Sequence, residues 1–224
     1  MINVIYEDNH ILVVEKPVNV LSQADDTSDK DMVTLLKDYV KTKYNKPGNV
    51  FIGLVHRLDR PVGGVMVFAK TSKAASRLSD QVRTKTFKKT YRAVIHKTMN
   101  KKEDTLKDYL YKNKKTNMVS VVKKDHKESK DAQLSYKTLA SSNGYSMVEI
   151  DLKTGRPHQI RVQFASRNHP LYGDQRYGKD VNKVGQQIAL WSYSLEIIHP
   201  TTKEPMKFTQ NPPNEYPWDM FDIK

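Results

Sequence analysis

Leu54-Val55-His56-Arg57-Leu58-Asp59-Arg60-Pro61-Val62-Gly63-Gly64-Val65-Met66-Val67-Phe68-Ala69-Lys70 sets one carboxylate, Asp59, between two apolar runs, with His56, Arg57 and Arg60 as its neighbours. Residues 50–55 and 62–69 read as buried strands, and Arg60-Pro61 with Gly63-Gly64 supplies the reversal between them. Positive charge and hydrogen-bond donors favour the charged form of a nearby carboxylate. Asp59 therefore suits a nucleophile or general base better than a general acid. An acidic residue at a turn also has a plainer use, as a turn former or surface ion-pair partner, and the spacing alone leaves both open.

Around this hairpin the chain alternates strand and helix patterns. Residues 2–6 and 10–14 are short β-rich runs separated by Glu7-Asp8-Asn9, and Lys16-Pro17 ends the second. Residues 22–30 are polar and read as a mobile loop. Met32, Leu35, Leu36, Tyr39 and Val40 recur at helical spacing, so residues 31–44 are expected as an amphipathic helix stopped by Lys46-Pro47-Gly48. Thr71 or Ser72 caps a second helix running to about Arg83, with Ala75, Leu78 and Val82 inward. Residues 87–95 return to strand, and residues 132–139 and 145–152 flank a turn at Ser142-Asn143-Gly144. Thr154-Gly155-Arg156-Pro157 supplies a turn and a helix start with Pro157 at the first helical position, after which Ile160, Arg161 and Phe164 share a face. Residues 187–197 and 206–208 read as the last strands, with a turn at 200–205. The expected class is α+β: a single mixed domain, mostly antiparallel sheet with two or three flanking helices.

Thirty-eight Lys and Arg against 25 Asp and Glu leave a net charge of +13. Such an excess points to a polyanionic partner, nucleic acid ahead of anionic membrane. Residues 97–130 are the most charged part, with eleven lysines to five acids, a pattern that fits an exposed hairpin or solvated loop as well as an RNA contact. The chain has no cysteine, which excludes disulfides, thiolate catalysis and Cys-ligated zinc. No run approaches the ~20 apolar residues of a membrane span, and the first residues are not a signal peptide, so a cytoplasmic protein is expected. Gly63-Gly64 lacks the lysine spacing of a P-loop. A metal trio of His56, Asp59 and His158 lacks a second carboxylate, so no metal and no cofactor are expected.

His56-Arg57-Leu58-Asp59, a following glycine and an apolar run ending in Ala69-Lys70 resemble the catalytic motif of the RluA-like family of pseudouridine synthases. Three more words are similar to that family's and occur in its order: Lys89-Thr90-Tyr91-Arg92-Ala93-Val94; Thr154-Gly155-Arg156-Pro157-His158-Gln159-Ile160-Arg161; and Gly173-Asp174-Gln175-Arg176-Tyr177-Gly178. Tyr6-Glu7-Asp8 and Val13-Val14-Glu15-Lys16-Pro17 resemble the start of the family's catalytic domain, so residues 1–224 are expected to be that domain with no accessory RNA-binding domain in front. Two departures stand out. Val62-Gly63 replaces the family's usual Thr-Ser, and Gln163 stands where histidine is common.

The resemblance implies the pseudouridine synthase fold and the isomerisation of uridine in ribosomal or transfer RNA. It implies Asp59 as nucleophile, Tyr91 as the active-site tyrosine and Arg161 as the arginine paired with Asp59, although Arg156 also competes for that pairing. Tyr91 suits stacking on a loosened base and proton transfer, and also reads as a core aromatic on a strand. Arg57, His56, Arg60, Arg156 and His158 are the candidate RNA-binding residues. Arg57 fits a phosphate contact or the holding of a flipped nucleotide, and His158 fits a structural hydrogen bond. The expected partner is RNA alone: no membrane, no obligatory protein partner, a monomer. Two other classes stay open, an inactive basic RNA-binding module of the same fold and a metal-dependent phosphodiesterase, the latter lacking acidic clusters.

Overall fold

The computed structural model describes residues 2–222. In chain order the elements are β1 (Asn3–Glu7), β2 (Ile11–Lys16), α1 (Met32–Lys43), β3 (Gly53–Leu54), β4 (Gly63–Ala69), α2 (Ser72–Arg83), β5 (Lys88–His96), β6 (Glu103–Lys112), β7 (Val119–Val122), β8 (Lys130–Ser142), β9 (Tyr145–Leu152), α3 (Gln159–Ala165), β10 (Leu190–Ile198) and β11 (Pro205–Thr209), then a 3-10 turn at Trp218–Met220. The class is the expected α+β: β1 with β2, β2 with β4, β5 with β9, β6 with β8 and β10 with β11 pair antiparallel, and helices pack on the strands. The chain divides into two compact units, Met1–Lys89 with Ser192–Asn211, and Thr90–Trp191 with Pro212–Lys224.

In the first unit Asp8 makes the β1–β2 turn, its Oδ1 accepting from the His10 and Ile11 amides at 2.7 Å each. β2 pairs with β1 on one edge and β4 on the other, and residues 11–14 are fully buried, so both faces of the strand are covered and its run is apolar without alternation. Register sets Val13 beside Val67 and Lys16 beside Gly64. Asp31 caps α1 and Thr71 caps α2, each side chain accepting from backbone amides of the first turn. Met32, Leu36 and Val40 of α1 are buried as their spacing requires. On α2 Leu78 is fully buried and the expected Ala75 and Val82 are partly buried against the same core, so the inward face is the expected one, widened by the buried Ala74. This face closes a core of Ile11, Val13, Val65, Val67, Phe87, Leu195 and Ile197.

The strand expected over residues 50–55 shrinks to Gly53–Leu54, paired with Ala69 and Phe68 of β4. Apolarity at Ile52 and Val55 reflects burial against the core without a ladder. Gly64, with φ of 114°, lies so close to the Ser192 backbone that a Cβ there would collide with its carbonyl.

In the second unit the order is β5-β9-β8-β6-β7. Asn143 and Gly144, both with positive φ, form the two-residue turn between β8 and β9. The lysine-rich residues 97–130 hold the β6–β7 hairpin, whose Leu110 and Val119 are buried against Ala132 and Val162 of α3. The expected helix start at Pro157 is corrected: His158 takes the left-handed conformation at φ 51° and caps α3, leaving Pro157 outside. The Gln159 Oε1 accepts from the Arg156 amide at 3.1 Å, so the turn before the helix is held by a side chain of the helix itself.

Candidate active site

In the first unit the Asp59 carbonyl accepts from the Val62 amide at 2.9 Å, closing a turn over Arg60-Pro61. Two side chains from the segment around β2 hold this loop. The Lys16 ammonium, fully buried, donates to the carbonyls of Pro17 (2.9 Å), Arg60 (3.1 Å) and Val62 (2.7 Å). Ser22 Oγ donates to the Leu58 carbonyl at 2.8 Å and accepts from the Leu58 amide at 3.1 Å. Burial pushes the Lys16 ammonium down to about 7, against the pull of the Asp59 charge. Three carbonyl acceptors each need an N–H, so the geometry is that of the protonated amine. The loop that lacks the Thr-Ser hydroxyls thus has an ammonium and a serine on either side of Asp59.

Neither lysine nor serine stood out in the sequence. Lys16 carried one signal, a charge ending an otherwise apolar buried strand before proline. The start of the polar stretch 22–30 is not free loop, because Ser22 is buried.

The side chains next to Asp59 separate in role. Arg57 is exposed. Arg60 pairs with Asp29 at 2.7 Å, both half exposed. His56, expected as an RNA contact and a cationic neighbour, is instead a buried neutral imidazole: Nε2 accepts from the Val67 amide at 3.1 Å and the ring lies 5.1 Å from that of Phe87. Burial and the Lys89 charge lower it to about 3. A ring folded into the core to accept a strand amide cannot also present itself to a solvent-borne nucleotide.

The second unit carries Tyr91, Arg156, His158 and Arg161. Tyr91 sits on β5 opposite Ile150 and is only 6% exposed. Arg161 lies on the buried face of α3 and meets Asp174 as a fork, Nε to Oδ2 at 2.8 Å and Nη2 to Oδ1 at 2.7 Å. Its guanidinium also lies over the Tyr177 ring, 5.2 Å from the centroid. Asp174 Oδ1 accepts in addition from the Arg176 and Tyr177 amides, so one carboxylate both shapes its loop and holds the arginine. Tyr177 OH accepts from the Val119 amide at 3.0 Å and lies 2.7 Å from His158 Nδ1, the structural hydrogen bond expected of that histidine. Arg156 is drawn to Asp131, donating to its carbonyl and carboxylate at 2.7 Å.

The sequence shows Asp174 only as part of a motif, and its partnership with Arg161 spans a turn that spacing does not reveal. Gly173 before it has φ of 74° and no room for a Cβ beneath the Gln187 carbonyl. Gln163, buried, donates to Asp108 Oδ2 at 2.7 Å and accepts from Gln159 Nε2 at 3.0 Å, using both ends of its amide. Among the described residues no cluster of three His, Cys, Asp or Glu side chains could hold a metal ion.

The chain is similar to an RNA pseudouridine synthase of Bacillus subtilis named YhcT, 31% identical over 91% of this chain and 66% of that protein. It is 29% identical to tRNA pseudouridine synthase C of Vibrio cholerae, over 92% of this chain and 89% of that one. It is 32% identical to ribosomal large subunit pseudouridine synthase D of Borreliella burgdorferi, over 88% and 61%. The chain thus spans just under two thirds of some relatives and most of others. In fold it matches human RNA pseudouridylate synthase domain containing 4, with a TM-score of 0.79 and 20% identity over 94% of this chain and 88% of that one. Residues 10–166, from β2 through α3, match the RNA pseudouridylate synthase family model, and they include Asp59, Tyr91 and Arg161; this chain belongs to that family.

Proposed function

We propose that the protein isomerises specific uridines in structured RNA to pseudouridine. The observation that carries this reading is the family match across residues 10–166, with an aspartate on a turn braced by a buried ammonium. Relatives are named for transfer RNA and for the large ribosomal subunit, so the target RNA is sought in those two classes.

In this reading Asp59 is the nucleophile, attacking the ribose anomeric carbon or the pyrimidine ring. The bond from C1′ to N1 breaks, the base turns, and C5 bonds to C1′ as the carboxylate departs. The proton on C5 is then lost and N1 takes one up, so substrate and product are isomers. Such chemistry consumes no redox equivalent and no group donor, which supports a cofactor-free enzyme. Tyr91 is assigned the C5 proton, and Arg161, fixed by Asp174 and Tyr177, the role of the site's cation. Arg57, exposed beside Asp59, is assigned to phosphate or to the flipped nucleotide. The reading takes the enzyme to act in the cytoplasm as a monomer; among the described residues no helix is long and apolar enough to cross a membrane.

The test is incubation of the purified protein with unmodified transfer RNA and large-subunit ribosomal RNA transcripts, followed by pseudouridine detection by mass spectrometry. Formation at discrete sites is expected. RNA binding without any pseudouridine would favour the inactive RNA-binding module. Mapping pseudouridines across the transcriptome with and without the protein then identifies the position.

A further inference from the structure

The most basic surface of the second unit lies on the β6–β7 hairpin and the turn that follows it. Lys112, Lys114, Lys115, Lys123, Lys124, Lys127 and Lys130 face two acids, Asp125 and Glu128, and all seven lysines are exposed. Among the described residues only Lys114 is ion-paired, at 3.3 Å to Glu128. That pair and the ring contact of Tyr111 with His126, centroids 4.5 Å apart, bring the turns at 113–118 and 123–129 together into one face. A lysine cluster alone is most often a solvated surface. Two further features distinguish this one.

First, flat rings stand among the charges, the combination that tracks a phosphate backbone while stacking on bases. Second, the hairpin is tied to the residues around Arg161 from three directions. Arg176 donates to the Asn117 carbonyl at 3.1 Å, and the Val119 amide donates to Tyr177 OH at 3.0 Å. Asp108 on β6 receives Gln163 from α3 at 2.7 Å and Arg167 as a fork at 2.9 and 3.1 Å. A hairpin meant only for solubility has no need of such anchors.

We propose that this lysine and aromatic face of the β6–β7 hairpin is a docking surface for the phosphate backbone of folded RNA. The proposal rests on the RNA-modifying reading above and adds where the RNA is held. The bound backbone is registered against α3 and residues 174–177 through the Asn117, Val119 and Asp108 links. The surface contributes affinity and orientation, and no chemistry.

Fluorescence anisotropy with an unmodified transfer RNA transcript and a large-subunit ribosomal RNA fragment as probes, over a salt series, tests it. One variant carries Lys112→Gln, Lys115→Gln, Lys123→Gln and Lys124→Gln; a charge-matched control carries Lys30→Gln, Lys37→Gln, Lys41→Gln and Lys46→Gln, all exposed in the first unit. Each lost phosphate contact flattens the slope of log affinity against log salt by about 0.7–0.9. The hairpin variant should therefore flatten it by roughly 3, raise KM about tenfold or more and leave kcat unchanged, with the control near wild type. Equal flattening by both variants overturns the proposal, because bulk charge then explains the binding. So does unchanged RNA affinity in the hairpin variant together with lost binding to phosphatidylglycerol vesicles, which makes the face a membrane contact. Hairpin-dependent RNA binding without pseudouridine formation by wild-type protein leaves the docking surface standing and overturns only the catalytic reading.

Discussion

Arg161 and Asp174 face each other as a buried two-pronged ion pair, with side chains 9% and 0% exposed. Neutralising one partner of a buried pair is destabilising, by up to about 3–5 kcal/mol. Asp174→Asn keeps an oxygen for the Arg176 and Tyr177 amides but loses the charge. It is expected to lower stability by several kcal/mol in urea unfolding and to depress pseudouridine formation in the folded fraction. Wild-type stability would show that the arginine is compensated elsewhere.

Asp59→Asn keeps side-chain size and removes the charge of the assigned nucleophile. Turnover should be abolished, with folding and RNA affinity close to wild type. Activity of the wild-type protein should be unaffected by excess chelator. Turnover by the variant near the wild-type rate would remove Asp59 from the nucleophile's role.

Tyr91→Phe retains the ring and loses only the hydroxyl. If the hydroxyl takes the C5 proton, the variant should bind RNA normally and stall after the base is detached. If only stacking matters, Phe should turn over and Leu should lose ~1–3 kcal/mol of binding per stacked base. Single-turnover kinetics of the two variants separates these outcomes, and the first is expected.

His56 tests core against surface. His56→Leu strands the Val67 amide in the interior and should cost about 1–3 kcal/mol, while leaving RNA affinity unchanged. The folded imidazole lies at about 3, below its ordinary 6.5. The unfolded chain therefore binds this proton first as pH falls from about 6.5 to 3, and stability drops through that window. His56→Leu should flatten that part of the stability profile, followed by denaturation at stepped pH. A loss of RNA affinity at unchanged stability would return His56 to the surface role.

Glu7 joins β1 to the end of α1. Burial would raise its carboxyl, but hydrogen bonds from Lys43, Lys70, Tyr39 and Tyr44 outweigh that and hold it at about 2. Its stabilisation is complete above the unfolded value near 4.5 and is lost as pH falls toward 2. Glu7→Gln should lower stability at neutral pH by about 1–2 kcal/mol, since Lys43 is partly screened by solvent. The difference from wild type should vanish by pH 2 in a thermal melt series.

Local chemistry was enough to read the cap at Thr71, the Asn143-Gly144 turn, the helical stripe of Met32, Leu36 and Val40, and the hairpin presenting Asp59. Each depends on residues a few positions apart, whose backbone preference or periodicity a sequence displays. The motif words carried the family in the same way. Partners distant along the chain were decided only by tertiary structure. Lys16 reaches the Asp59 loop because β2 and β4 lie in register, and Arg161 meets Asp174 across the turn that follows α3. Arg156 could be weighed against Arg161 in the sequence, but its capture by Asp131 depends on where β8 begins. His56 reads as an RNA-binding histidine beside Asp59, and becomes a core residue because residues 56 and 67 lie on chain segments that fold together, where a strand amide needs an acceptor. Strand register and loop closure set these distances, and neither is encoded in the spacing of residues along the chain.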